Sequence, residues 1–455
     1  MQAQYEELGW TQAQLAEIAV SALKRVKALD VEHAHVSLHE SKGIAVQVRN
    51  REVSSQVAHG NQRITLSVFR DGRTAQVSSA NLSADSIDRL ARAASEAVEY
   101  VERDEYAGPA EAEYLADEGA DIDLLDLYSP LDWSIGEAIS LAREAEEAAF
   151  SFSPKITASE GASCNASQLQ MFVASSEGLL RGYRASIRSL SCAPVASDGQ
   201  GKRLAGRGRS ARSGATLDSA LSIGTDAARY AVSQLGARSI ATRTCAVMYD
   251  SMMATRLLGQ WLNSANGMAV LTNASFLAGK IGLPVCADHL TIVEDPSIPG
   301  SLATRPFDSD GIAPRRRALV DCGTLTGYLL SAYTARRLKL APTGNADGSG
   351  NIELISAMTR ADDDFAAMLR RLDTGFLVTG LTAGGFNGLT GAYSQGAEGF
   401  WVEGGEIQYP VDNVTIAADV TSMLGGSVAV GADRYTSGAL TSGSILVGEM
   451  RLAGR

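Results

Sequence analysis

Ala34-His35-Val36-Ser37-Leu38-His39 and, a few residues on, Ile44-Ala45-Val46-Gln47-Val48 place an apolar side chain at every second position. Period two sends successive side chains to opposite faces of a strand, so one face is apolar and the other carries His35, Ser37, His39 and Gln47. That is the pattern of half-buried antiparallel strands. Asp71-Gly72, set between Ile64/Leu66/Val68 and Ala75/Val77, predicts a tight hairpin turn. Helical spacing brackets these strands. Thr11-Gln12-Ala13-Gln14 has capping-box form and leads into Leu15, Ile18, Ala19, Ala22, Leu23 and Val26, a helix ending near Leu29. Asn81-Leu82-Ser83 opens another through Ile87, Leu90, Ala94 and Val98.

The same order returns downstream. A helix is expected over 131–150 after Ser129-Pro130, then strands near 156–162, 169–175 and 179–190 with Glu177-Gly178 as a turn, then a helix over 217–235 that stops at Gly236. Helix, strands, helix thus occurs twice, consistent with an internal duplication that leaves no residue-level repeat. Between the two runs, residues 102–128 are acidic (among them Glu102, Asp104, Glu105, Glu111, Asp117 and Glu118) and read as an exposed connection. After a boundary at 237–244, residues 245–249 form an apolar strand and 251–268 carry Met252, Leu257, Leu258, Trp261 and Leu262 at helical spacing. The remainder is rich in glycine and β-branched residues, with a Gly404-Gly405 hairpin over 400–409 and later strands at 427–430 and 444–447. The expected fold is α+β: an N-terminal helix and antiparallel-strand domain at 1–236, then a β-rich C-terminal domain at 245–455.

At 455 residues the chain needs more than one core. Its net charge of −12 argues against nucleic acid as a ligand, because phosphate neutralisation needs a basic face. The one basic cluster, Lys202, Arg203, Arg207, Arg209 and Arg212, is interleaved with glycine and reads as a solvated loop ahead of a contact for an acidic partner. No apolar run reaches a bilayer span, and the start (Gln2, Gln4, Glu6, Glu7) is polar, so no membrane association and a cytoplasmic location are expected. Cys164, Cys192, Cys245, Cys286 and Cys322 lie far apart and read as buried thiols.

Catalytic patterns are sparse. His33, His35 and His39 share a strand face, and the first two have the geometry of a metal clip; without a nearby acid or thiol, a polar outer face is the stronger reading, and whether they bind metal stays open. His59 and His289 are isolated, and Asp288-His289 reads as a structural pair. Asp308-x-Asp310-Gly311 lacks the rest of a calcium loop and reads as a solvent turn. Residues 344–350 lack the Gly-Lys-Ser/Thr end of a phosphate loop. Glu403 and Glu406 flank the Gly-Gly turn and keep its tip soluble.

The most distinctive wording lies at 307–351: Phe307-Asp308-Ser309-Asp310-Gly311, then Gly327-Tyr328-Leu329-Leu330-Ser331-Ala332-Tyr333-Thr334-Ala335-Arg336, then Pro342-Thr343-Gly344-Asn345-Ala346-Asp347-Gly348-Ser349-Gly350-Asn351. It combines an acidic turn, a hydrophobic segment ending in Arg336-Arg337, and a loop of small residues that lets another backbone approach. This stretch resembles the PmbA/TldE branch of the TldD/PmbA family, the "modulator of gyrase" proteins. The resemblance implies a zinc metallopeptidase system. Its catalytic TldD branch carries a helical His-Glu-x-x-x-His motif and a distant C-terminal cysteine. Counted outward from Ser275-Phe276-Leu277-Ala278-Gly279-Lys280, the motif position here is Leu258-Gly259-Gln260-Trp261-Leu262-Asn263, and the tail Gly448-Glu449-Met450-Arg451-Leu452-Ala453-Gly454-Arg455 has no cysteine.

The resemblance therefore implies no catalytic or metal-binding residue on this chain and zinc on a TldD-like partner. It implies a ring-shaped heterodimer acting on unfolded peptides and peptide precursors. In that arrangement Thr343, Gly344, Asn345, Gly348 and Asn351 of the Gly-rich loop, with Trp401 and Tyr409 of the hairpin, face substrate or partner. The alternatives are a stand-alone hydrolase or ligand-binding protein with an unrecognised centre, or a regulator in direct contact with gyrase. Whether a homodimer forms alone is left open.

Overall fold

The computed structural model describes residues 8–454 apart from Glu118, Ala120 and Asp132. Gln2, Gln4, Glu6 and Glu7 of the polar start, Glu118 of the acidic connection and Arg455 of the tail lie outside the described residues. The first half is built from α1 (Gln12–Lys27), β1 (His33–Arg49), β2 (Glu52–Arg70), β3 (Arg73–Ser79), α2 (Ala84–Ala97), α3 (Ile135–Phe152), β4 (Ile156–Ser175), β5 (Leu180–Ser197), β6 (Lys202–Leu204), β7 (Arg207–Ala211) and α4 (Ala220–Ser233). Its strands form one antiparallel sheet in the order β3-β2-β1-β4-β5-β6, with β7 also on β5. The alternation in β1 decides how the helices pack. Val36 pairs with Ala174 and Val46 with Cys164, so even-numbered residues of β1 and β4 share one face. All four helices cover that face, α1 and α2 over Val36, Leu38, Leu66 and Phe172, and α3 and α4 over Ile44, Val46, Cys164 and Leu190.

Glu40 and Gln170, opposite one another in the register, separate these two cores. Buried Glu40 accepts from the backbone N–H of Gly9 (2.6 Å) and Trp10 (3.3 Å) and from Gln170 Nε2 (2.7 Å). A buried carboxylate is tolerated only when its lone pairs are filled in this way. Local signals appear as expected. Thr11/Gln14 forms the expected capping box, Asp71 and Gly72 both have positive φ, the conformation a two-residue hairpin requires, and a second box that the sequence reading does not single out, Ser134/Glu137, opens α3 at Ile135 rather than near 131.

The second half contributes β8 (Arg243–Tyr249), α5 (Ser251–Ser264), α6 (Gly267–Leu271), β9 (Leu290–Asp295), β10 (Arg317–Asp321), β11 (Thr324–Leu325), α7 (Ala332–Leu338), β12 (Asn351–Ser356), α8 (Phe365–Leu372), β13 (Gly375–Phe386), β14 (Ala392–Glu403), β15 (Glu406–Asp419), α9 (Val420–Gly425), β16 (Ser427–Val430), β17 (Tyr435–Ser437), β18 (Leu440–Ser442) and β19 (Ile445–Ala453). One sheet runs β11-β10-β9-β12-β18-β17 and another β15-β14-β13-β8-β19-β16. Pairing of β15 with β19 closes five strands of the latter into a ring, with β16 paired on β19 outside it. A single large core joins the two sheets through α5, where Leu257, Leu258, Trp261 and Leu262 are buried. The chain is α+β with a strand-rich C-terminal half, as expected.

Three expectations change. The strands expected at 156–162 and 169–175 are one continuous β4, because polar residues between them such as Asn165 and Gln168 still hold the alternating register with β1 and β5. The helix expected over 251–268 ends at Ser264, where Asn266 caps the separate α6 by accepting from Met268 N. Residues 102–128 keep most of their acidic side chains exposed, as expected of a connection, but the segment is anchored rather than free: Ala110, Ala116 and Leu127 are buried, and Leu115 bridges to Ile312. The acidic side chains hid a backbone that runs along the C-terminal half as a strap.

Candidate functional site

The three parts of the 307–351 stretch fold into one knot. Phe307 is fully buried, edge-on to the Tyr183 ring of β5 with centroids 5.3 Å apart. Asp308, far from being a solvent turn, is buried, and its carboxylate accepts from Asp310 N (3.1 Å), Ile312 N (2.9 Å) and Ala346 N (2.9 Å). Asp310 accepts from Ala332 N at the start of α7 (2.8 Å), and Asp347 from Ser309 N (2.7 Å). Burial, with Asp310 close by, pushes Asp308 up to about 7 despite the N–H donors that pull it down. Burial raises Asp310 as well.

The Gly-rich loop is held from inside. Gly344 has positive φ, and a Cβ there would lie 2.7 Å from the Pro314 backbone, so only glycine fits. Arg305 donates to the carbonyls of Gly344 (3.2 Å), Gly348 (2.5 Å) and Ser349 (3.2 Å). Asn345 donates to Glu294 (2.7 Å), which is fully buried, accepts from Gly350 N (2.6 Å) and pairs with Arg317 at 3.0 Å. Thr343 Oγ1 accepts from Leu330 N (2.7 Å), and Asn351 donates to Asp295 O (2.9 Å) and Thr304 Oγ1 (2.8 Å). The amide groups of Asn345 and Asn351 therefore point inward. On the ring of strands, Trp401 is buried with its Nε1 donating to Glu403 (2.7 Å), and Tyr409 lies under the Arg238 guanidinium at 3.6 Å. The loop and the hairpin belong to different sheets. Glu403, read as a solubilising tip residue, is the partner that satisfies Trp401.

Arg336 ties this knot to the strap. Its guanidinium donates to the carbonyls of Tyr106 (2.5 Å), Gly108 (3.0 Å) and Pro109 and pairs with Glu111 (2.8 Å). Tyr333 OH donates to Asp104 (2.8 Å), and Ala116 N to Gly311 O (2.9 Å). Strap, knot and sheet enclose a groove of about 1040 Å³, lined among others by Phe69, Asp104, Tyr106, Asp310, Tyr333 and Arg337. Because Leu66 and Val68 point to the helices, Ser67 and Phe69 reach the groove from the opposite, helix-free face of the first sheet.

The remaining candidates take structural places. His33 pairs with Glu177 (2.5 Å), and burial pushes His35 down to about 4. His39 is also lowered, by burial, Arg63 adding to the effect. His289 bonds Ser356 Oγ (2.9 Å) and Ser427 O (3.1 Å) rather than Asp288. Cys164, Cys192 and Cys286 are buried as expected, but Cys245 is only half-buried and Cys322 is exposed on the β10–β11 turn. Leu258 and Trp261 of the 258–263 segment pack in the core. Among the described residues no group of three or more His, Cys, Asp or Glu side chains converges as a metal requires.

The basic loop is a junction, not a solvated loop. Arg203 pairs with Asp412, Arg209 donates to Tyr435 OH (2.6 Å) and pairs with Asp218 (3.0 Å), and Arg212 donates to Leu302 O (2.8 Å). The sequence reading missed Glu294, Arg305 and Arg317. For Glu294 a signal existed: Leu290, Ile292 and Glu294 alternate along β9, all facing inward, so the period predicts a buried acid.

Three models of the PmbA/TldA metallopeptidase match: domain 1 at 34–98, the central domain at 128–235 and the C-terminal domain at 242–454. The chain is 35% identical over 444 residues to metalloprotease PmbA of Escherichia coli O157:H7, covering 98% of this chain and 97% of that protein. It is 31% identical to the PmbA homologue of Haemophilus influenzae, with 92% of each chain covered. The fold superposes on a Bacteroides thetaiotaomicron protein described as a modulator of DNA gyrase (TM-score 0.89, 23% identity, 96% of this chain and 98% of that one). It also superposes on TldE of Thermococcus kodakarensis (TM-score 0.82, 16% identity, 96% and 100%). No helix among the described residues is long and apolar enough to cross a membrane. Knot, strap and sheet architecture thus sit in a chain that belongs to the PmbA/TldD metallopeptidase family, on its PmbA/TldE branch.

Proposed function

We propose that this chain is the non-catalytic, substrate-handling subunit of a cytoplasmic TldD/TldE-type zinc peptidase that degrades unfolded peptides and trims peptide precursors. The observation that carries the reading is α5. A helical His-Glu-x-x-x-His would project its two imidazoles from 258 and 263 and its carboxylate from 259, and those positions hold Leu258 in the core, Asn263 and Gly259. Zinc hydrolysis needs imidazole ligands, a carboxylate base and an open coordination position for water, and this segment supplies none of the side chains. The residues present therefore do not fit the metal. What the chain supplies is a scaffold and a groove. An extended peptide binds such a surface largely through its backbone, which suits substrates of varied sequence.

The test is reconstitution with a TldD-like partner from the same cell. Unfolded peptide is expected to be cleaved by the mixture and by neither subunit alone, with zinc on the partner. Stoichiometric zinc on the isolated chain, or cleavage undiminished when the chain is left out, overturns the reading.

A further inference from the structure

We propose that the groove between the first sheet, the strap and α7 is a docking cleft for a Lys or Arg side chain of an extended peptide. This rests on the substrate-handling reading and names the chemistry of that handling. The groove carries both aromatic faces and charge, with Phe69, Tyr106 and Tyr333 among its walls. Four acidic residues line it, Glu102, Asp104, Glu105 and Asp310, against two arginines, Arg103 and Arg337. A cation is the ligand that such a net negative, aromatic-walled recess favours.

The chain itself demonstrates the fit. Arg337 lies over the Tyr106 ring at 5.1 Å and the Tyr333 ring at 5.8 Å, donates to Tyr333 OH at 2.9 Å, and stands 4.0 Å from Asp104. Tyr333 in turn donates to Asp104, so ring and acid are held together before any ligand arrives. The Arg337 side chain is 38% exposed and its ion pair is long, so it can swing aside. It is an internal occupant of a cation site rather than a buried structural charge such as Arg317. The backbone of an extended ligand also has a place. β3 is the outermost strand of its sheet, no strand pairs with its outer edge among the described residues, and its Thr74 lines the groove. Free edge N–H and C=O groups accept an added strand, while a side-chain recess beside the edge selects residue type.

The experiment is fluorescence anisotropy of the full chain, without partner, using labelled unstructured decapeptides identical except for a central Arg, Gln or Glu. The Arg peptide is expected to bind roughly tenfold more tightly than the Glu peptide, with the preference shrinking as salt rises. Glu105→Gln changes an exposed side chain, leaves the fold intact, and should weaken the Arg peptide about threefold. Arg337→Gln should tighten it about threefold, because the resident cation no longer competes. Weaker binding in Arg337→Gln would mean that Arg337 grips a ligand carboxylate, and would overturn the proposal. So would equal affinity for the Arg and Glu peptides, or no binding of either. Loss of charge preference with cleavage by the reconstituted complex intact removes the groove alone; charge preference without a functional complex removes the peptidase reading alone.

Discussion

The first sheet and the 307–351 knot are held by opposite means. In the outer strands of the sheet, neighbours in sequence decide: Asp71-Gly72 turns the chain, β2 pairs back on β1, and even-numbered apolar residues meet the helices. In the knot, stability comes from polar groups far apart in sequence, Arg336 with Tyr106 and Gly108, Glu294 with Asn345 and Gly350. Apolar burial is non-directional and tolerates variation, whereas a buried polar network must be complete. The sheet should therefore lose stability in proportion to volume removed, and the knot in steps as single partners vanish.

Arg317→Met gives the largest expected break. It strands Glu294, fully buried, without its ion pair, and should cost about 4 kcal/mol in chemical denaturation. Leu66→Ala in the sheet removes a fully buried side chain and should cost about 3 kcal/mol, with the loss set by the cavity left. If both variants cost the same small amount, the contrast between the regions fails.

The two regions should also respond oppositely to pH. His35 in the sheet is depressed to about 4 from 6.5, so its unfolded form binds the proton more readily; stability is full above 6.5 and falls as pH drops through 4. Asp308 in the knot is raised to about 7 from 3.8, so its contribution is present below 3.8 and is lost as pH rises through 7. Denaturation midpoints across pH 4 to 7 should show His35→Gln flattening the acid limb and Asp308→Asn flattening the neutral limb, each by about 2 kcal/mol. The smallest global effect is expected from Arg336→Ala. It frees three strap carbonyls near the surface, costs about 1–2 kcal/mol, and should be read by faster proteolytic nicking between Tyr106 and Glu111.

Most of the first sheet was legible because its information is local. The Thr11/Gln14 capping box, the Asp-Gly turn and the period of two each specify structure within a few residues, and each reappears in the fold. The strap was illegible for the converse reason. Its side chains are acidic and its anchors are backbone carbonyls, which leave no mark on composition, while the donor, Arg336, lies more than two hundred residues away. The arginines at 203, 209 and 212 misled in the same way: glycine spacing suggested mobility, but their partners Asp412, Tyr435 and Leu302 come from the other half.

By itself, the sequence determined the α+β class, the family wording at 307–351 and the lack of imidazole at 258–263, because strand period, turn chemistry and ligand identity are written residue by residue. Only the tertiary structure decided that Asn345 and Asn351 turn inward, that Asp308 is buried and that strap, sheet and α7 meet around a groove. Those outcomes depend on which distant donor reaches which acceptor, and a hydrogen bond between remote residues has no periodicity to read.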